Sequence, residues 1–235
     1  MTVKEIMTEL ESRGSESIKK ILLKHGVKEP FFGVKIEHLK VIQKKIKKEY
    51  QLALDLFATG NADAMYLAGL IADDEKMTKK DLQIWVKQAK SNNISEYTVP
   101  WVCAGSHHGL ELALEWIDSK EEHIAAAGWS TLSGLVAIKQ DSELDLNLLK
   151  QLLKRIEKNI HSAKNRERHT MNGFIIAVGS FVESLTKEAN AVAAKIGTVT
   201  IDMNGTACKV PNAIEYIKKI SDKGLIGKKK KVLKC

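Results

Sequence analysis

The chain has 235 residues, enough to bury a full hydrophobic core, and 44% of them are hydrophobic. No apolar run approaches the roughly 18 residues of a membrane-spanning helix, and the charged residues close to Met1 argue against a signal peptide. Cys103, Cys208 and Cys235 have no paired spacing, so neither a disulfide framework nor a metal site is indicated, no cofactor is expected, and a cytoplasmic location is the default.

The net charge of +8 is unevenly distributed along the chain. Residues 18–48 hold ten lysines and two acids, and residues 206–235 hold nine lysines and two acids. Residues 49–146 are instead acidic, with sixteen acids and seven lysines. This asymmetry favours a surface that meets a polyanion. The alternative, in which lysines only solvate helix faces, fits a short run such as Lys44–Lys48 taken alone.

Apolar residues recur at helical spacing through most of the chain, and the chain has only three prolines. Gly26 ends an early helix, Asn61 is a predicted N-cap, and Thr78 opens a further helix with a near capping box. Ser119-Lys120-Glu121-Glu122 predicts a capping box as well. Later helical stripes cover 146–160, about 165–185 and 213–221.

The segment 198–210 departs from this helical pattern. It alternates apolar and polar residues around Asn204-Gly205, a dipeptide typical of a two-residue β-hairpin turn. The predicted pairing puts Val199, Ile201 and Cys208 on one face, with Lys209 on the other. An isolated hairpin is marginal in water, so its apolar face is expected either to pack on a helix or to serve a ligand.

These patterns predict an all-α fold, a HEAT-like αα-repeat array with one small β-hairpin near the end of the sequence. A helical bundle is the competing architecture, because periodicity alone does not separate the two. We expect one domain over residues 1–227, followed by a basic tail over 228–235. Lys228, Lys229 and Lys230 in this tail are expected to be mobile and to neutralise phosphates.

Three short motifs resemble segments of the bacterial alkylpurine DNA glycosylases of the AlkD type. They are Phe31-Phe32-Gly33-Val34-Lys35, Trp116-Ile117-Asp118-Ser119, and His161-Ser162-Ala163-Lys164 followed by Gly173-Phe174. Their order and spacing extend over about residues 30 to 185. The resemblance implies a HEAT-like α-superhelix with a concave, basic groove for DNA, in proteins associated with DNA alkylation repair.

The catalytic pattern of that family, Trp-x-x-x-Asp on one helix, is only half present. Trp101 matches the tryptophan, but Gly105 stands at the acid's position, and no acid lies between Tyr97 and Leu110. The arginines that the family carries on the next helix are replaced by Ala125-Ala126-Ala127. Glu111 or Glu115 could supply a substitute acid. Losing a carboxylate at such a site removes several kcal/mol of electrostatic stabilisation.

The residues expected to contact DNA combine aromatic rings with basic side chains. Lys164, Arg166, Arg168 and His169 cluster at a predicted helix start, where backbone donors also favour phosphate. His107 and His108 are adjacent on a helix and therefore do not form a metal pair. The full predicted set is Trp101, His107, His108, Lys164, Arg166, Arg168, His169, Phe174, Lys209, Lys228, Lys229 and Lys230. Trp101 is equally compatible with packing in the core, and for Phe174 packing in the core is the favoured alternative.

Three hypotheses about function follow from the sequence. The first is a non-catalytic DNA-binding protein that recognises bent or branched DNA. The second is an active alkylpurine DNA glycosylase with a relocated acid, and the third is a helical-repeat scaffold for protein partners. The resemblance and the basic regions favour the first hypothesis, with DNA as partner and no membrane association.

Overall fold

The computed structural model describes residues 1–234, and the regular elements within them are all helices. The chain divides into two compact units, which are described separately. One contains residues 1–108, 203–206 and Lys234, and the other contains 109–202 and 207–233. No helix within residues 1–234 combines the length and the apolar character needed to cross a membrane.

The first unit contains seven α-helices built around one fully buried helix. These are α1 (Val3–Ser12), α2 (Glu16–Lys24), α3 (Ile36–Ile46), α4 (Tyr50–Ala58), α5 (Ala62–Ile71), α6 (Lys79–Gln88) and α7 (Val99–Gly105). Every residue of α5 is buried, and α5 packs against α1, α3, α4 and α7. Phe57 of α4 stacks on Trp85 of α6 at 4.0 Å between ring centroids. The apolar stripes predicted from the sequence therefore meet around α5.

The second unit contains six α-helices centred on α9 and α11. They are α8 (Gly109–Trp116), α9 (Glu122–Ile138), α10 (Leu146–Asn159), α11 (Asn165–Phe181), α12 (Thr186–Ile196) and α13 (Ala213–Asp222). Helix α9 packs on α8 and α11, and α11 also contacts α12 and α13. A Cβ atom on Gly128 would lie 2.7 Å from the backbone nitrogen of Ile117. Glycine at this position therefore lets α8 and α9 approach closely.

The helix boundaries test the predicted caps. The Asn61 side chain accepts hydrogen bonds from the backbone of Asp63 and Ala64, and Thr78 forms a reciprocal capping box with Asp81, as predicted. The predicted capping box at Ser119 is wrong. Helix α9 begins at Glu122, and the Ser119 hydroxyl accepts a hydrogen bond from the backbone of Glu121 instead.

The predicted β-hairpin is wrong in its strands, because residues 197–212 contain none. Its turn is nevertheless present. Asn204 and Gly205 have φ angles of 54° and 68°, and the Thr206 N–H donates to the Met203 carbonyl at 3.1 Å. The residues predicted to share one apolar face are not all buried, since Val199 and Ile201 are buried whereas Cys208 is exposed.

Side chains of α11 hydrogen-bond to the backbone of this segment, where a second strand had been predicted to do so. Asn165 accepts from the Asp202 N–H at 2.7 Å and donates to the Asp202 carbonyl at 2.9 Å. Arg168 donates to the Thr200 carbonyl at 2.8 Å. A two-stranded ladder alone is marginal in water, and these helix contacts fix the extended segment without one.

The segment after residue 227 is docked, and the expectation that it is mobile is wrong. The Lys229 ammonium lies 2.8 Å from Asp141 and donates to the Val136 carbonyl at 3.0 Å. The Lys230 N–H donates to the Ala137 carbonyl at 2.7 Å. These contacts fix the backbone against α9, so the segment has a defined geometry in the second unit. Cys235, the last residue of the predicted tail, lies outside the described residues.

Candidate nucleic-acid interface

Trp101 lies in an aromatic cluster of the first unit, formed by Tyr66, Tyr97 and Trp101. Its ring meets Tyr66 at 5.5 Å and Tyr97 at 6.1 Å between centroids, both edge-on. Pro100 stands in the first turn of α7, directly after the π-helical turn Ile94–Thr98. Trp101 is 9% exposed and Tyr97 48% exposed, so the cluster reaches the surface mainly through Tyr97. The sequence analysis missed both tyrosines, although Tyr97 precedes Trp101 by four residues.

An acid lies beside Gly105 in space although none lies near it in the sequence. A Cβ atom on Gly105 would be 2.6 Å from the carboxylate oxygen Oδ2 of Asp74. Asp74 opens the short 3-10 helix Asp74–Lys76 after α5. Glu111 and Glu115, the substitutes considered from sequence, lie on α8 in the second unit, whereas the helix of Gly105 ends at that residue.

Asp74 forms an ion pair with Lys234. The Lys234 ammonium donates to Asp74 Oδ1 at 2.6 Å and to the Ala72 carbonyl at 2.8 Å. Burial raises the pKa of the Asp74 carboxyl above its ordinary value and lowers the pKa of the Lys234 ammonium, while the attraction between the two groups opposes both shifts. The carboxylate beside Gly105 is therefore neutralised by a partner within the chain.

A second buried acid explains the early motif Phe31–Lys35. Both oxygens of Asp63 accept backbone hydrogen bonds, from Phe32 at 2.7 Å, Gly33 at 3.0 Å and Val34 at 3.2 Å. Gly33 has a φ of 79°, and a Cβ atom there would lie 2.6 Å from the Ser15 carbonyl oxygen. The motif is thus a turn whose backbone N–H groups surround the Asp63 carboxylate, and it contributes to folding.

His107 and His108 lie in the turn between α7 and α8. The backbone N–H of His108 donates to the Ser106 hydroxyl at 3.2 Å, and His107 is exposed. Within residues 1–234, no group of three or more metal-ligating side chains is close enough to hold an ion. The two histidines are accessible polar groups at this turn.

The predicted basic cluster does come together at the start of α11. The Lys164 ammonium donates to the Lys120 carbonyl at 2.5 Å, and Arg166 donates to Nδ1 of His169 at 3.1 Å. Glu122 accepts from the backbone N–H of Arg166 at 2.8 Å, so an acid already occupies part of the helix N-terminus. The sequence predicts that the backbone N–H groups at this helix N-terminus are open to phosphate, whereas the N–H of Arg166 is already bonded to Glu122.

Arg168 has a structural role that the sequence did not indicate. Its guanidinium donates to the carbonyls of Thr200 and Ala163, at 2.8 Å and 2.9 Å. Because both outer nitrogens are engaged with backbone oxygens, Arg168 ties the segment 197–202 to α11. The structure therefore gives Arg168 the role of a clamp, and its contact with phosphate stays a prediction.

Phe174 and Lys229 were also predicted to contact DNA, but neither side chain is exposed in the structure. Phe174 is fully buried and lies 5.5 Å from Trp129 between ring centroids, so the prediction that it contacts DNA is wrong. The Lys229 side chain is 9% exposed because of its ion pair with Asp141. Lys164, Lys209, Lys228 and Lys230 remain exposed.

Comparison with known proteins places these features in a family. The family model for "DNA alkylation repair enzyme" matches residues 6–217. A protein of Listeria innocua serovar 6a is 30% identical over 224 residues, which make up 93% of this chain and 97% of that protein. A protein of Listeria monocytogenes serovar 1/2a is 29% identical with the same coverage.

A solved structure is similar over the full length of both chains, with a TM-score of 0.92 and 35% identity. That protein is described as one of a new family related to the HEAT-like repeat DNA glycosylases, with affinity for branched DNA structures. The all-helical, HEAT-like fold class and the resemblance carried by the three motifs are thereby confirmed. With a family model that covers most of its length and a relative that shares its whole fold, the chain belongs to the DNA alkylation repair enzyme family.

Proposed function

We propose that this protein binds DNA, prefers branched or bent DNA to linear duplex, and does not excise bases. The observation that carries this proposal is the pairing of Asp74, the acid beside Gly105, with Lys234. The proposal also takes Gly105 to stand where the resemblance implies the family's acid. A base-excising site needs a free negative charge to stabilise the departing sugar cation. Here the neighbouring carboxylate already has a cationic partner.

The basic surface supports the binding half of the proposal. Four exposed lysines of the second unit offer positive charge that does not distinguish one base from another. They are Lys164, Lys209, Lys228 and Lys230. Contacts of this kind bind phosphates of any sequence and leave selectivity to the shape of the DNA. The affinity for branched DNA of the relative with 35% identity favours a shape-reading role for this chain as well. The proposal includes a concave groove whose surface contains these lysines.

A binding experiment tests the preference for shape. Fluorescence anisotropy compares a four-way junction with a linear duplex of the same sequence content, at matched salt. We expect the junction to bind at least about fivefold more tightly, because bending linear duplex costs on the order of 1–6 kcal/mol. Equal affinity for the two substrates contradicts the preference, and no binding of either near 50 mM salt favours the protein scaffold.

The second candidate, excision by a relocated acid, has Asp74 as its structural support. Incubation with DNA that contains 7-methylguanine and 3-methyladenine, followed by detection of the free base, decides between the two. We expect no release above the uncatalysed rate. Release that disappears in the Asp74→Asn variant would establish the glycosylase instead.

A further inference from the structure

A pocket of about 240 Å³ lies in the second unit, beside the segment that follows α12. The end of α12, the start of α13 and the backbone at residues 197–199 and 210–212 enclose it. Val199 and Ala213 in its wall are buried, whereas Ala194 at its rim is exposed. An apolar cavity of roughly 150 Å³ holds a benzene molecule, so this pocket has room for a molecule of one or two rings.

Asn172 of α11 contributes a buried amide to the wall of this pocket. It is 2% exposed, and its amide nitrogen donates to the Pro211 carbonyl at 2.9 Å. Within residues 1–234, no group donates a hydrogen bond to the Asn172 oxygen Oδ1. Buried polar atoms normally have a partner. This oxygen is therefore an acceptor available to a ligand that carries a donor.

The start of α13 contributes hydrogen-bond donors to the same pocket. Ala213 and Ile214 are the first two residues of this helix, and both line the pocket. The Asn212 side chain accepts from the N–H of the third residue, Glu215, at 3.1 Å. In the described part of the chain, no acceptor takes the N–H of Ala213 or Ile214. The pocket thus offers both donors and an acceptor.

The wall of this pocket carries no charged side chain among residues 1–234. Its side chains are those of alanine, valine, isoleucine, threonine, asparagine and proline. A charged ligand would lose its hydration here without gaining an ion pair, whereas a neutral ligand with donors and acceptors avoids this cost. A neutral heterocycle with polar groups at its edge, such as a nucleobase, meets these conditions.

Lys209 connects this pocket to the proposed DNA surface. It directly precedes Val210, which lines the pocket, and it is one of the exposed lysines proposed to contact phosphates. DNA bound at Lys209 therefore presents its bases next to the pocket. Taking a base out of the stack costs least where the base is mismatched or already single-stranded, so an unpaired base enters more readily than a paired one.

We propose that this pocket binds one unpaired nucleobase of branched DNA. Asn172 Oδ1 accepts from the amino group of the base, and the N–H groups of Ala213 and Ile214 donate to its acceptors. The proposal rests on the proposed DNA binding, which brings the strand to the pocket, although recognition of the base itself does not require a strand. The site shares no residue with the pattern that contains Trp101 and Gly105.

Nuclear magnetic resonance titration tests recognition of the base without DNA. The probe is 2′-deoxyadenosine, and the reporters are the backbone amides of Ala213 and Ile214 and the side-chain amide of Asn172. We expect saturable shifts. Purine 2′-deoxyriboside, which lacks the amino donor, is expected to bind about fivefold more weakly. The sugar 2-deoxyribose, which has no base, is expected to cause no saturable shift.

Two exposed alanines of α12 provide matched variants. Ala194 lines the pocket, and Ala191 does not. Ala194→Phe places a ring at the rim and is expected to abolish the nucleoside shifts, whereas Ala191→Phe is expected to bind like the unaltered protein. If Ala194→Phe does not fold, the comparison of the two nucleosides on the unaltered protein still decides.

A duplex with a single-nucleotide bulge of 2-aminopurine tests the site on DNA. The fluorescence of 2-aminopurine rises when the base leaves the stack. We expect this rise with the unaltered protein and with Ala191→Phe, and no rise with Ala194→Phe. Affinity for the same DNA, measured by anisotropy, is expected to change less than twofold, because the phosphate contacts are intact in all three proteins.

The outcomes separate the pocket from the proposed function. Nucleoside shifts that Ala194→Phe removes and Ala191→Phe retains support the pocket. The absence of a saturable shift with 2′-deoxyadenosine overturns it, whatever the affinity for DNA. Equal binding of the two nucleosides, or equal shifts with 2-deoxyribose, also overturns it, because the base edge would then have no part in binding. A protein that binds the nucleoside but no DNA overturns the proposed function instead.

Discussion

Asp63 is a buried acid, and the groups that donate hydrogen bonds to its carboxylate are backbone N–H groups. It is 5% exposed and accepts three N–H groups from the turn at Phe32–Val34. Burial raises the pKa of its carboxyl above 3.8, and these hydrogen bonds partly oppose the shift. The residue couples the start of α5 to the turn before α3.

We predict that Asp63→Asn lowers the free energy of unfolding by about 1–3 kcal/mol, because an amide has one acceptor oxygen and leaves a buried N–H group unpaired. Urea unfolding measures this change. Asp55→Asn, at an exposed position of α4, is the matched control and is expected to stay within about 0.5 kcal/mol of the unaltered protein.

The pH dependence of this difference has a definite sign. The pKa of Asp63 is higher in the folded protein than its ordinary value, so the folded state holds the proton more tightly. The contribution of this group to stability is therefore greatest at the acid end and declines as the pH rises through the folded pKa. The advantage of the unaltered protein over Asp63→Asn is expected to shrink over that window. An advantage that grows with pH would refute this assignment.

At the scale of the element, α8 and α9 show how one small residue permits close packing. The motif Trp116-Ile117 ends α8, and the backbone of Ile117 lies where a side chain at residue 128 would stand. Ala125, Ala126 and Ala127 are buried immediately before Gly128. These small residues pack in the core of the second unit, at positions where the resemblance implies arginines.

Gly128→Ala is expected to destabilise the protein by about 1–3 kcal/mol, since the new Cβ meets backbone atoms, which do not move as a flexible side chain does. Gly173→Ala in α11 is the matched substitution, because a Cβ there has no neighbour within 4 Å. It is expected to stabilise by about 0.5–1 kcal/mol through helix propensity. Thermal unfolding compares the two, and equal effects would contradict the packing argument.

For the whole molecule, the proposed DNA binding has an electrostatic signature. Lys164→Glu combined with Lys209→Glu reverses two exposed charges of the second unit without touching the Arg168 clamp. We expect weaker binding to all DNA sequences and a slope of log affinity against log salt that is shallower by about two. Lys154→Glu combined with Lys187→Glu, at exposed positions of α10 and α12, serves as the charge-matched control. An unchanged slope would place the interface elsewhere.

Much of the helical framework could be predicted because its signals are local. Helical periodicity, the Asn61 cap and the Thr78 capping box depend on residues two to four positions apart. The turn at Asn204-Gly205 was likewise predictable from two residues that tolerate positive φ. The absence of strands around it was not, because Asn165 and Arg168, more than thirty residues earlier, determine where that backbone bonds.

The sequence by itself determined the all-helical class and carried the resemblance to the family, while the loss of an acid at residue 105 stays a prediction. The tertiary structure decided which charges are free. It brings Asp74 beside Gly105 and pairs it with Lys234, 160 residues away in the chain. It also buries Phe174 and engages Arg168 and Lys229. The physical reason is that burial and ion pairing depend on contacts between distant segments, which neither composition nor periodicity specifies.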